Sequence, residues 1–71
     1  MTDREYFETV TLPQMMTALP FEGSYGVCWE TLRKFGLENP NDAINWATEI
    51  SAKISLCTGV RYKSDGIYFV K

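Results

Sequence analysis

Basic and aromatic side chains are interleaved along one stretch of this chain, Val60 to Lys71, which reads VRYKSDGIYFVK. Arg61, Lys63 and Lys71, with Lys53 upstream, carry the charge to meet phosphates. Tyr62, Tyr68 or Phe69 have flat faces to lie against a sugar or a base. The same residue types anchor protein interfaces, where tyrosine and arginine supply a disproportionate share of the binding energy. A plainer reading competes with both. Strands of small sheets commonly set aromatics on one face and lysines on the other, and edge lysines discourage aggregation. A second polar set lies upstream. Asn41, Asn45, Thr48, Glu49, Ser51 and Ser55 would line the outer face of a helix, where Asn45 and Thr48 could read base edges. Asp42 and Glu49 share that surface with Lys53 as its one cation, a poor balance for neutralising phosphates.

Most catalytic chemistry lacks its residues. The chain has no histidine, which removes the commonest general base and the commonest metal ligand. Two cysteines far apart, Cys28 and Cys57, make no zinc pattern. Both fall among apolar residues, so each reads as a small buried hydrophobe rather than half of a disulfide. The glycines are scattered as turn and cap residues, with no phosphate-binding loop. A carboxylate pair such as Glu30 and Glu38 has no feature that separates it from solvated surface charge. The expectation is a protein that is not an enzyme and takes no cofactor or metal.

The elements that position these residues must come from 71 residues, enough for one small domain spanning 1–71. A hydrophobic fraction of 45% is too high for a disordered segment. No apolar run approaches the ~20 residues of a membrane span, and the charged start lacks a signal peptide's apolar stretch. A cytoplasmic location is expected. The net charge of −2 is uneven: residues 1–50 hold three basic against eight acidic side chains, and residues 51–71 hold four against one. An acidic body thus carries a basic final segment. Glu5, Glu8, Glu22, Glu30, Glu38 and Asp42 could together face a basic groove on another protein; ordinary solubilisation is the alternative.

EYFETV, Glu5 to Val10, alternates weakly and predicts a short strand. Thr11 then caps a helix with Pro13 in its first turn, and Leu12, Met15, Met16 and Leu19 line one face. Adjacent Met15 and Met16 cannot both point fully inward; an exposed one beside Phe21 would make an adaptable patch, and core filling is the favoured alternative. Ser24 predicts the next helix, with Tyr25, Cys28, Trp29, Leu32 and Phe35 on its stripe, Gly26 as its weak point and Gly36 as its C-cap. Asn39-Pro40 opens a long third helix with Ala43, Trp46, Ala47, Ile50, Ile54 and Cys57 inside, ending at Gly59. Val60–Lys63 and Ile67–Val70 predict a hairpin about Ser64-Asp65-Gly66. Its register stays open. A two-residue Asp65-Gly66 loop pairs Tyr62 with Phe69. A three-residue loop pairs Tyr62 with Tyr68 and exchanges the faces of one strand.

The expected fold is α+β, three helices on a small two- or three-stranded antiparallel sheet, in the order β-α-α-α-β-β. That order of elements, without any sequence motif, resembles a winged helix-turn-helix, whose wing would be the hairpin. Two functions follow. The first is a small non-enzymatic adaptor or inhibitor with a protein partner, anchored through Arg61, Tyr62, Lys63, Tyr68 and Phe69. The second, implied by the resemblance, is a DNA-binding regulator, with Arg61, Lys63 and Lys53 on phosphates and Asn45 and Thr48 on bases. The acidic balance of residues 1–50 favours the first.

Overall fold

The structure, a computed structural model, describes residues 2–71; Met1 lies outside the described residues. The chain opens with a helix, not the expected strand. Thr2-Asp3-Arg4-Glu5 has the capping-box pattern, of which the N-cap half forms: Thr2 Oγ1 accepts from the Glu5 backbone N–H at 3.2 Å, and its hydroxyl donates to Glu5 Oε1 at 3.3 Å. Arg4 and Glu8 add an i, i+4 ion pair at 3.0 Å. This helix, α1, runs through Asp3–Tyr6, widens into a π-helical turn over Phe7–Thr11, and continues as Leu12–Ala18. The wide turn has a cause. Pro13 has no N–H, and its ring would collide with the carbonyl one α-turn earlier. Leu12 N–H instead reaches back five residues to Phe7 O, which makes room for the ring. Pro13 therefore sits inside a running helix rather than at its start.

The second correction is Ser24–Cys28, which forms strand β1 and not the first turns of a helix. Gly26 is the reason a strand fits here. A Cβ at that position would lie 2.6 Å from the Tyr68 ring, so the bare backbone is the seat of that ring. Helix α2 covers Trp29–Lys34, and Gly36, at φ 86°, turns the chain. Helix α3 is Pro40–Lys53, with Asn39 Oδ1 accepting from Asn41 N–H at 2.9 Å. It ends six residues before Gly59, and Ile54 and Cys57 pack against the core from the following turn. Strands β2, Gly59–Lys63, and β3, Gly66–Val70, complete an antiparallel sheet in the order β1-β3-β2. Among the described residues the architecture is α+β, three helices and three strands in the order α-β-α-α-β-β.

The hairpin adopts neither expected register. Lys63 pairs with Gly66 across a Ser64-Asp65 turn, so Tyr62 faces Ile67 and Arg61 faces Tyr68. This differs from the Tyr62–Phe69 alternative by two positions, and a shift of two preserves the faces. Arg61, Lys63, Tyr68 and Val70 accordingly share the outer face. Val60, Tyr62, Ile67 and Phe69 share the other.

That second face meets the helices. Phe69, Ile67, Leu12, Met16 and Leu32 are fully enclosed, and Trp46 packs its ring within 6.1 Å of Phe7, Phe35 and Phe69 centroids. Trp46 Nε1 donates to Glu8 Oε1, the carboxylate that also holds Arg4. No helix among the described residues is long and apolar enough to cross a membrane.

Candidate binding surface

The five residues expected to anchor a protein partner do not form one patch. Phe69 is completely buried, under Trp46. It is a core residue, and no partner can touch it without unfolding the chain. The other four divide between the two faces of the hairpin.

On the outer face Tyr68 lies flat over Gly26. Its hydroxyl donates to Asp65 Oδ2 at 2.7 Å, which holds the phenol above its ordinary range because ionisation would lose that bond. Lys63 Nζ stands 4.8 Å from the ring centroid, a cation–π contact. Arg61, Lys63, Tyr68 and Lys71 border a concavity of about 400 Å³ with Glu22 and Val70. Lys71 is already engaged there, donating to Leu19 O at 2.8 Å. Arg61 and Lys63 are both exposed, so they are the cations that this face presents.

On the opposite face Tyr62 is 55% exposed. Its ring meets Trp29 edge to face at 5.1 Å between centroids. Trp29 is fixed in turn by two bonds to the hairpin turn: its Nε1 donates to Ser64 O at 3.0 Å and its backbone N–H to Asp65 O at 3.3 Å. Trp29 and Tyr62 then line a second concavity of about 400 Å³ with Arg33, Leu37, Glu38 and Pro40. Trp29, Arg33 and Pro40 are additions to the expected site. One signal for them was available: a core this small has difficulty enclosing both tryptophans, and Trp29 is the one left half-buried.

The nucleic-acid set is placed differently. Asn45, Thr48 and Lys53 are exposed along α3, beside Asp42 and Glu49. The Thr48 hydroxyl donates to Ile44 O at 2.9 Å within its own helix, which occupies its proton. Elsewhere, Phe21 is 87% exposed, with Met15 at 38%, whereas Met16 is buried. The expected division between the two methionines is thus observed.

Cys28 is exposed at the end of β1 rather than buried, and Cys57 is half-buried. The Cys28 Sγ lies 3.2 Å from Thr31 Oγ1, and this contact, with the Thr31 and Glu30 backbone N–H groups, lowers its pKa below the ordinary thiol value. Maleimide or iodoacetamide at neutral pH is expected to label Cys28 well ahead of Cys57. Peptide mapping by mass spectrometry after brief exposure checks this, and Thr31→Val should slow the Cys28 reaction. No group of three or more acidic or cysteine side chains suited to a metal ion occurs among the described residues.

No protein-family model matches this chain, and neither does any curated protein or solved structure.

Proposed function

We propose that this chain is a non-enzymatic protein-binding module, an adaptor or inhibitor, that holds its partner with the β2–β3 hairpin and the start of α2. The observation that carries this reading is the Trp29–Tyr62 pair, an exposed tyrosine edge-to-face on a half-buried tryptophan beside Arg33. Tryptophan, tyrosine and arginine are the residues in which interface energy concentrates, most of all where a preformed contact leaves little entropy to lose. Trp29 is already held by its two bonds to the turn.

Tyr62→Ala is expected to weaken partner binding by about 2 kcal/mol, roughly thirtyfold. Arg61→Ala should cost less, on the order of 1 kcal/mol or below, because it is a rim charge. The test is affinity capture from native lysate with wild type and Tyr62→Ala in parallel, each with and without nuclease. A protein partner that survives nuclease and is lost with Tyr62→Ala supports the reading. A captured set that disappears with nuclease overturns it.

A second reading, a DNA-binding winged helix, draws its support from the hairpin carrying Arg61 and Lys63 that follows α2 and α3. Arg61 and Lys63 would then meet phosphates while Asn45 and Thr48 faced bases. Charge argues against it. Asp42 and Glu49 lie on the helix that would enter the groove, and Asp65 sits at the hairpin tip. Duplex binding measured against salt decides between the two, because each phosphate contacted adds about 0.9 to the slope.

A further inference from the structure

The free edge of β2 has not been used by any part of the fold. In the sheet order β1-β3-β2, this strand has β3 on one side and, among the described residues, no strand on the other. Lys63 and Gly66 close the turn as a hydrogen-bonded pair, so the alternation of an antiparallel ladder turns the N–H and C=O groups of Val60 and Tyr62 to the open side. Among the described residues, no backbone hydrogen bond from another element reaches Val60, Arg61, Tyr62 or Lys63 on that side. The side chains along this edge alternate. Arg61 and Lys63 project to the outer face, and Val60 and Tyr62 to the face that Trp29 and α3 line.

An exposed edge is a template for another strand. Self-pairing is opposed here, since two copies of β2 would bring Arg61 and Lys63 of one chain near those of the other, and like charges across a strand pair are destabilising. We propose that β2 accepts an extended segment of a partner protein by strand addition, and that this segment alternates acidic with apolar residues. Its carboxylates would lie beside Arg61 and Lys63, at the separation of directly opposed residues in neighbouring strands. Its apolar residues would lie on the other face, beside Val60 and Tyr62 and over the concavity of Trp29, Leu37 and Pro40. Main-chain bonds supply the attachment and the alternating pockets supply the selection. The proposal rests on the protein-binding reading of the hairpin and names the kind of segment that the hairpin takes.

The probe is a fluorescein-labelled, acetylated peptide of about six residues, the usual strand length, alternating glutamate with valine. Three comparisons accompany it. One peptide has the same composition with the glutamates grouped. One keeps the alternating sequence but carries N-methyl groups on alternate amides, in both phases. The third uses the alternating peptide against the double variant Arg61→Glu, Lys63→Glu, whose fold is first checked by circular dichroism. The expected results are saturable binding of the alternating peptide and weakening of roughly tenfold or more with the double variant. N-methylation in one phase should abolish binding and in the other should not, and the amides of Val60 and Tyr62 should become protected from hydrogen exchange. Failure of the alternating peptide to bind, or equal binding of both N-methylated forms, overturns strand addition. If the peptide fails while Tyr62-dependent capture of a protein succeeds, the protein-binding reading stands and strand addition alone is lost. Failure of both removes the two together.

Discussion

Gly66→Ala is expected to destabilise this protein by about 3 kcal/mol or more, lowering its Tm by roughly 15 °C for a chain of this size. A Cβ on Gly66 would lie 2.1 Å from Val27 O and 2.8 Å from Cys28 Cα. Both atoms belong to the backbone of β1, so no rotamer change relieves the clash. Either β1 lifts off β3 or the hairpin turn moves, and each movement breaks something else. Lifting β1 withdraws Val27 from the core, and moving the turn breaks the bonds from Trp29 to Ser64 and Asp65. A small domain has little reserve, since total stabilities lie near 5–15 kcal/mol for ordinary proteins and small ones tend to the low end. Gly59→Ala is the control. A Cβ there meets nothing within 4 Å, so its stability should stay within about 1 kcal/mol of wild type or rise slightly. Thermal and urea unfolding of the two variants, followed by circular dichroism, checks the contrast.

The second large effect is expected at Trp46. Its ring is 97% enclosed at the meeting point of Phe7, Phe35 and Phe69, and its N–H serves Glu8. Trp46→Ala should cost about 3–5 kcal/mol by loss of buried surface and by the cavity left behind. Trp46→Phe separates the contributions. It keeps most of the aromatic packing but leaves the Glu8 carboxylate with Arg4 as its remaining partner, and about 1–3 kcal/mol is expected from that loss. Glu8→Ala in the Trp46→Phe background should then cost clearly less than Glu8→Ala alone, because the shared bond is already gone. Chemical denaturation of the four proteins closes the cycle. Additive costs would show that the Trp46–Glu8 bond contributes little.

What the sequence made legible was the second half of the chain. Asn39-Pro40 marked the start of α3, and Ala43, Trp46, Ala47 and Ile50 marked its buried stripe, because a cap and a helical period act locally. The faces of the hairpin stayed open between two registers; the Asp65-Gly66 alternative shares the observed faces, because alternation survives a shift of two. The first half was misread where tertiary packing overrides local pattern. Tyr25, Cys28, Trp29 and Leu32 are spaced as on a helix, yet β1 extends because β3 offers it a partner and Gly26 offers Tyr68 a seat. Gly26 was the visible sign of this. The N-terminal helix had its own sign, the Thr2-x-x-Glu5 capping-box pattern, obscured by the weak alternation of the residues after it. For the binding surface, Phe69 was grouped with its neighbours by type, but strand parity separates it from Tyr68 and sends it into the core. Trp29 joins Tyr62 only through a contact far along the chain, which no local pattern reveals.

The π-helical turn at Phe7–Thr11 makes the N-terminal helix sensitive to its residue count as well as to its chemistry. Such a turn holds one residue more than the α-helix around it would need, in effect a surplus residue accommodated without a break. Removing that residue, for instance Val10, would leave everything upstream on nearly its present faces, with Phe7 still in the ring cluster and Glu8 beside Trp46. The obstacle is Pro13, whose ring would then meet the carbonyl one α-turn earlier. The length of this turn is therefore tied to the proline rather than to the docking of the segment before it. A relative that lacks one residue there is expected to lack the proline as well.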